Sequence, residues 1–254
     1  MLVQFDSLGD FARTAKKYPE HVFDAYNRDG DFYRYIEKAT HGDDTLAAKA
    51  YAMIDKLDVN APSTRVFQTV HSPYGGSCNL GDWLAQSPTP MRRRIRTVSD
   101  TAPLRIVVGV SCSAGIRPDL METRGIAILA LVLKLQSIRP IDLFLLTEDR
   151  GAKKDSWHYH LIKIESNPLA LGTATFGLCS DGIERLLSFT ILRGQYDQNP
   201  GWPTDHLEPG YMERKRDRLG LNDNDLIIRE AYLADPMIKH PVEWLEEQLK
   251  KYSN

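Results

Sequence analysis

Cysteine is scarce in this sequence, and its distribution excludes two classes of protein. The 254 residues contain three cysteines, Cys78, Cys112 and Cys179, which are far apart and odd in number. No CxxC pair is present, so the sequence supports neither a zinc knuckle nor a framework of disulfide bonds. We therefore expect a reducing compartment, namely the cytoplasm.

Long apolar runs and a strong net charge are also missing. The longest apolar run, Ile126 to Leu133, is too short to span a membrane, and residues 1–17 lack the apolar core of a signal peptide. The formal net charge of -2 excludes a globally basic nucleic-acid binder, but it permits a local basic patch. We expect a soluble protein without a membrane partner.

Common catalytic motifs are absent as well. The sequence has no GxSxG elbow, Walker loop, HExxH pair or complete Rossmann fingerprint. His158 and His160 share one face of a predicted strand, but a zinc site needs further ligands, and ordinary strand histidines are the favoured interpretation. An unfamiliar active site around these histidines and Cys179 is the least supported hypothesis. We predict no catalytic residues, no cofactor and no enzymatic activity.

The apolar pattern predicts an α/β fold. Leu104 to Val110 is an apolar, β-branched run typical of a strand, residues 118–138 form a helix that is apolar almost all round, and Ile141 to Leu146 is a second strand. This order predicts a parallel pair within a central, mainly parallel sheet flanked by helices. A third strand at residues 157–165 is expected near an edge, and a last strand at residues 226–232.

The rest of the chain is divided by composition. Residues 1–60 contain three amphipathic stretches and predict an N-terminal helical layer. Residues 61–103 are rich in Pro, Ser, Gly and Thr and predict an irregular segment with short extended pieces. Residues 104–254 form the α/β core. We expect a single domain over residues 1–254.

The irregular segment also holds a dense basic run. Residues 91–96 read MRRRIR and contain four arginines, namely Arg92, Arg93, Arg94 and Arg96. The guanidinium fork suits phosphate, and the neighbouring Tyr74, Trp83 and Phe67 are of the type that stacks on unpaired bases. Lys153 and Lys154 form a lesser basic group. The alternatives are a solvated strand that pairs with surface carboxylates, or an interface with another subunit.

The loop after the first core strand resembles the metal-ion motif of von Willebrand factor A domains. In that motif, Asp-x-Ser-x-Ser is followed by a helix rich in Gly, Ala and Leu, and the resemblance covers roughly residues 104–165. Ser111 and Ser113 match the two serines, whereas Gly109 stands at the aspartate position. Two neutral hydroxyls hold Mg²⁺ poorly without a carboxylate, so we predict no metal site and favour a serine turn that caps the helix. The resemblance implies a degenerate protein-interaction module of this type.

Three consecutive stretches resemble a second family. They are PTPMRRRIRTV, PLRIVVGVSCSAGI and RGIAILALVLKLQSIRPIDLFLL, and together they are similar to a bacteriophage family of podoviruses that carry their own RNA polymerases. That family is the single-stranded-DNA-binding transcription cofactor. The resemblance implies sequence-tolerant binding of single-stranded DNA in the host cytoplasm, recruitment of the phage RNA polymerase, self-association as a dimer or tetramer, and no catalysis.

Overall fold

We describe the protein from a computed structural model. The structure describes residues 1–22, 31–54, 67–74, 77–96, 103–112, 115–136, 139–150, 157–166, 169–200, 211–232 and 235–252. The eight described strands are β1 (Leu2–Phe5), β2 (Phe67–Ser72), β3 (Ser77–Cys78), β4 (Met91–Arg96), β5 (Leu104–Gly109), β6 (Ile141–Arg150), β7 (Trp157–Ile164) and β8 (Leu226–Ile228). No helix within these ranges is long and apolar enough to cross a membrane.

The described ranges contain ten α-helices. They are α1 (Leu8–Ala15), α2 (Asp31–His41), α3 (Asp44–Ile54), α4 (Leu80–Leu84), α5 (Pro118–Gln136), α6 (Leu171–Cys179), α7 (Phe189–Tyr196), α8 (Tyr211–Leu219), α9 (Pro236–Lys239) and α10 (Pro241–Tyr252). A short 3₁₀ helix spans Pro19–His21. A π-helix, Ile183–Ser188, leads directly into α7.

The core is a five-stranded, mostly parallel sheet flanked by helices, which confirms the predicted α/β class. Its strand order is β1-β7-β6-β5-β8. β5 pairs in parallel with both β6 and β8, so the predicted strand–helix–strand unit around α5 is present. β7 runs antiparallel to β6 and parallel to β1.

Apolar residues alternate between the two faces of this sheet because successive side chains of a strand point in opposite directions. Ile106 and Val108 belong to the main core cluster, which also contains the buried residues of α5 and α6. Val107, between them, belongs to a second cluster with Leu219 of α8. The charged helix α8 therefore packs on the face opposite to α5.

The predicted N-terminal helical layer is present as α1, α2 and α3, but the chain begins with a strand. β1 adds to the outer side of β7, so β7 lies one strand in from the edge, near it as the sequence predicts. β6 continues four residues beyond Leu146, through the charged stretch that the sequence predicts as a turn. β8 is shorter than expected and ends at Ile228.

The segment expected to be irregular contains a second sheet. β4 lies between β2 and β3 in a three-stranded antiparallel arrangement with the order β2-β4-β3. β4 pairs with β2 over six residues and with β3 over two, in both cases antiparallel. The short extended pieces of residues 61–103 therefore form regular structure within the part of this segment that the structure describes.

Candidate functional sites

The arginine run forms the central strand of the small sheet. Arg92 lies opposite His71 of β2 and Ser77 of β3, and Arg94 lies opposite Thr69. Alternate positions of a strand share a face, so positions 92, 94 and 96 share one face and positions 93 and 95 the other. The structure describes the side chain of Arg92 but only the backbone of Arg93, Arg94 and Arg96. The strand therefore holds a row of three arginine positions, 92, 94 and 96, on one face and the single position Arg93 on the other.

Exposed side chains accompany this strand. The side chain of Arg92 is exposed, and among the described residues no ion pair engages it. Tyr74 and Trp83 are 68% and 60% exposed, which is unusual for aromatic residues. His71 Nδ1 lies 2.9 Å from Asp82 Oδ2, so one acidic side chain is close to the basic strand.

Other predicted site residues are not brought to this surface by the described structure. Lys153, Lys154 and Ser113 lie outside the described residues. The backbone of Phe67 pairs with that of Arg96, and the structure does not describe the side chain of Phe67. The small sheet, Arg92, Tyr74 and Trp83 are therefore the described parts of the predicted DNA-binding set.

The serine loop after β5 lies at the end of the sheet where β5, β6 and β8 finish, here called the carboxyl edge. Ser111 is fully buried, and its Oγ accepts a hydrogen bond from the Glu148 backbone N–H at 3.4 Å. The backbone N–H of Cys112 donates to Glu184 Oε2 at 3.3 Å. The loop is thus engaged with residues of β6 and the π-helix.

The residues of this loop do not fit the magnesium ion that the von Willebrand A resemblance implies. A Cβ atom at Gly109 would lie 3.0 Å from both the backbone nitrogen and the Oε1 of Glu230. An aspartate at this position would therefore be tightly packed against the chain that follows β8, which would have to move by a few tenths of an ångström. Within the described ranges, no group of three or more His, Cys, Asp or Glu side chains is arranged to hold a metal ion.

A buried lysine lies at the same edge. Lys215 of α8 is 1% exposed, and its Nζ lies 2.7 Å from Glu148 Oε2 of β6. It also donates to Glu230 Oε1, just after β8, and to the Tyr211 hydroxyl at 3.4 Å. The Tyr211 hydroxyl in turn donates to Glu148 Oε2 at 2.6 Å. We call these four residues the Lys215 cluster.

The pKa values within the Lys215 cluster follow from burial and mutual attraction. Burial alone would raise the pKa of Glu230, but the Lys215 ammonium outweighs it and holds the pKa at about 2. Burial raises the pKa of Glu148, with Lys215 acting against that rise. Burial would lower the pKa of Lys215, but Glu230 and Glu148 outweigh it and raise the pKa. The two carboxylates therefore favour the ammonium form of Lys215.

Two further carboxyl groups, those of Asp149 and Glu184, lie beside this cluster and accept hydrogen bonds from neutral donors. Asp149 is fully buried and accepts a hydrogen bond from Ser188 Oγ at 2.6 Å. Burial raises the pKa of Asp149 to about 7. Burial is also the main cause that raises the pKa of Glu184, and the negative charge of Asp149 adds to this rise. Glu184 and Ser188 both lie on the π-helix, an arrangement that is often found at functional sites.

His158, His160 and Cys179, the residues of the alternative enzymatic hypothesis, do not form a common site. His160 Nδ1 lies 2.9 Å from Ser188 Oγ and 3.1 Å from Thr147 Oγ1, and burial lowers its pKa to about 3. His158 Nε2 lies 3.1 Å from Gln198 Oε1. Cys179 Sγ instead contacts the Glu122 carbonyl at 3.8 Å, and burial raises the pKa of its thiol to about 12. Among the described residues, this thiol forms no hydrogen bond with either histidine.

From the sequence, the serine loop is a candidate site at the carboxyl edge, but the Lys215 cluster is not predicted. Two signals in the sequence point to that cluster. Residues 213–218 alternate in charge and predict a self-neutralised helix face, but Lys215 is on the buried face. Tyr211, Lys215 and Leu219 recur every four residues, which is the spacing of one helix face. Glu148 and Asp149 follow an apolar strand directly, where ligand-facing side chains of α/β sheets are found.

The comparisons with known proteins give a family but no described activity. The comparison with curated proteins and the comparison with solved structures found no match. One family model matches residues 1–252, which is nearly the whole chain and includes both sheets. This chain therefore belongs to the family described as Domain of unknown function (DUF7192).

Proposed function

We propose that this protein binds single-stranded DNA through the small sheet, without catalysis and without strong sequence preference. The observation that supports this function is the arginine run on the central strand of the small sheet, with exposed Arg92 on that strand, exposed Tyr74 just after β2 and exposed Trp83 on α4. Guanidinium groups bind backbone phosphates, and exposed aromatic rings stack on bases of any identity. A local surface of this kind binds DNA despite the net charge of -2.

The phage resemblance extends this proposal to a biological role. A single-stranded-DNA-binding transcription cofactor recruits the phage RNA polymerase, and it binds DNA as a dimer or tetramer. Exposed apolar side chains on α4, namely Leu80, Trp83 and Leu84, are of the kind that protein contacts cover, which supports self-association or polymerase contact. Sedimentation of the full chain with and without the purified polymerase tests this part, and a monomer that does not bind polymerase contradicts it.

The DNA-binding proposal is tested by fluorescence anisotropy with a labelled oligothymidine and with a duplex of the same length. We expect binding to the single strand to weaken steeply with salt, with a slope of about -0.7 for each phosphate contacted. Trp83→Ala should weaken binding by about 1–3 kcal/mol if one base stacks on it. Arg92→Ala should weaken binding and make the salt slope shallower.

The matched control is Arg117→Ala, which removes the same charge from an exposed arginine outside the small sheet, paired with Asp119. This variant should bind as the wild type does. Absence of binding at low salt, or equal losses for Arg92→Ala and Arg117→Ala, contradicts the proposal.

A second candidate function is a degenerate von Willebrand A-type module that binds a protein at the carboxyl edge. The observation that favours it is the charge-rich end of β5, β6 and β8, because open α/β sheets bind partners in that position. The anisotropy titration separates the two functions. A protein of this second type shows no affinity for single-stranded DNA at low salt.

A further inference from the structure

Lys215 connects three separate parts of the chain at the carboxyl edge. Its stem belongs to α8, Glu148 belongs to the last part of β6, and Glu230 follows β8 by two residues. The ammonium lies between the two carboxylates, 2.7 Å from Glu148 Oε2 and in hydrogen-bond contact with Glu230 Oε1. These are the strand ends that a bound ligand or ion would have to bridge.

The hydrogen bonds of this ammonium are complete. An ammonium has three N–H donors, and the structure provides three acceptors, which are Glu148 Oε2, Glu230 Oε1 and the Tyr211 hydroxyl oxygen. Lys215 and Glu148 are almost completely buried, with exposed side-chain fractions of 1% and 0%. The Lys215 ammonium is therefore a buried cation whose three donors all contact oxygen atoms of the cluster.

The neighbouring arginine, Arg124, forms its ion pair with a carboxylate outside the Lys215 cluster. Arg124 is fully buried, and its Nε lies 3.2 Å from Asp235 Oδ2. Its Nη2 donates to the carbonyl oxygens of Gly109 and Arg229 at the ends of the two strands. Arg124 thus pairs with a different carboxylate, and Lys215 is the cation that contacts Glu148 and Glu230 among the described residues.

From this geometry we infer that Lys215 is a built-in cation, which takes the place of an exchangeable divalent ion and holds the carboxyl edge together without metal. A divalent ion at such an edge binds carboxylates from several loops at once, and the Lys215 ammonium makes the same bridge between β6, α8 and the end of β8. Glu230 also fills the space that a side chain at position 109 would need. This inference does not depend on DNA binding.

The wild-type protein provides the first test, by thermal unfolding with EDTA, with millimolar MgCl₂ and with millimolar MnCl₂. We expect the same midpoint temperature in all three conditions, because the cation is part of the chain. A midpoint that rises with Mg²⁺ or Mn²⁺ in the wild type, and no longer rises in Glu230→Gln, overturns the inference.

Variants of the cluster provide the second test. Lys215→Met keeps most of the apolar stem but leaves two buried carboxylates without their cation, and the midpoint should fall by about 10 °C. The exposed Lys250→Met is the control and should change the midpoint little. The double variant Lys215→Met with Glu230→Gln should be more stable than Lys215→Met alone, because one uncompensated charge is gone.

This compensation is a result that a purely space-filling role for the lysine stem would not produce. If Lys215→Met does not fold, the double variant and the wild-type metal series still test the inference. A double variant no more stable than Lys215→Met, or a Lys215→Met protein as stable as Lys250→Met, overturns it.

Discussion

Asp149 is a carboxyl group that the fold holds away from water, and no cationic side chain of the described residues forms an ion pair with it. Ser188 donates one hydrogen bond to it, while Glu148 adds a neighbouring negative charge. His160, on the other side of Ser188, is neutral because burial lowers its pKa to about 3. The neutral acid is therefore the favoured form, and burial raises the pKa of Asp149 from 3.8 to about 7.

The raised pKa of Asp149 predicts a pH dependence of stability with a definite sign. Its contribution is fully present below the unfolded value of 3.8 and is lost as the pH rises through about 7. Asp149→Asn keeps a neutral side chain at every pH. We measure the midpoint temperatures of variant and wild type from about pH 4 to about pH 8. The difference, variant minus wild type, should increase as the pH rises.

The control for this series is Asp217→Asn, on the exposed face of α8. Its midpoint should follow that of the wild type across the range. A constant difference between Asp149→Asn and wild type at all pH values would show that Asp149 is ionised in the folded protein.

At the scale of elements, the close crossing of α5 and α6 depends on one glycine. A Cβ at Gly125 would lie 2.5 Å from Cys179 Sγ and 2.6 Å from the Leu178 carbonyl oxygen. Backbone atoms cannot move away cheaply, so overpacking outweighs the better helix propensity of alanine. Gly125→Ala should lower the free energy of unfolding in urea by about 1–3 kcal/mol.

Gly81 of α4 is the matched control, because its nearest neighbour for a Cβ is Asn79 Oδ1 at 3.7 Å. Gly81→Ala should leave stability unchanged or raise it by up to about 1 kcal/mol. Equal effects of the two substitutions would mean that α5 and α6 are not in close contact in solution.

The elements that the sequence predicted well are those with a strong local pattern. β5, α5 and β6 combine a β-branched run, a long apolar helix and a proline at position 140, and each signal is independent of the rest of the chain. β1 has four residues with alternating exposure, too few for a periodic signal. Its pairing with β7 is a long-range contact that local sequence does not encode.

The two candidate sites also differ in how visible they are in the sequence. The arginine run was visible because its residues are consecutive, and the small sheet orders them. The Lys215 cluster joins residues 148, 211, 215 and 230, which are distant in sequence and become neighbours only when β6, α8 and β8 assemble. A lysine within an alternating charged helix carries little sign of burial beyond its spacing from Tyr211 and Leu219.

At the scale of the whole molecule, the start of the chain completes the large sheet. β1 pairs with β7 over four residues, and the Tyr159 N–H donates to the Met1 carbonyl at 2.9 Å. Phe5 packs edge-on against Phe11 and His160, at centroid distances of 5.0 Å and 5.7 Å. The first five residues therefore cover both the backbone of β7 and part of the core.

Deletion of residues 1–5 should leave β7 as an unpaired edge strand that pairs with other copies of the chain. We expect a lower midpoint temperature and increased light scattering on heating. Leu2→Ser is the control, because this side chain is 42% exposed and the backbone pairing is kept. A truncated protein with wild-type stability and no added scattering would contradict the role of β1.

A lysine ammonium is part of the chain, whereas a metal ion must be bound from solution. Lys215 is inherited with the gene, so every newly made copy has it before folding begins, at a fixed ratio of one to one. Refolding in a chelator should be as complete as refolding in magnesium. In a cell whose free magnesium varies with growth, the ends of β6 and β8 would keep the same arrangement throughout.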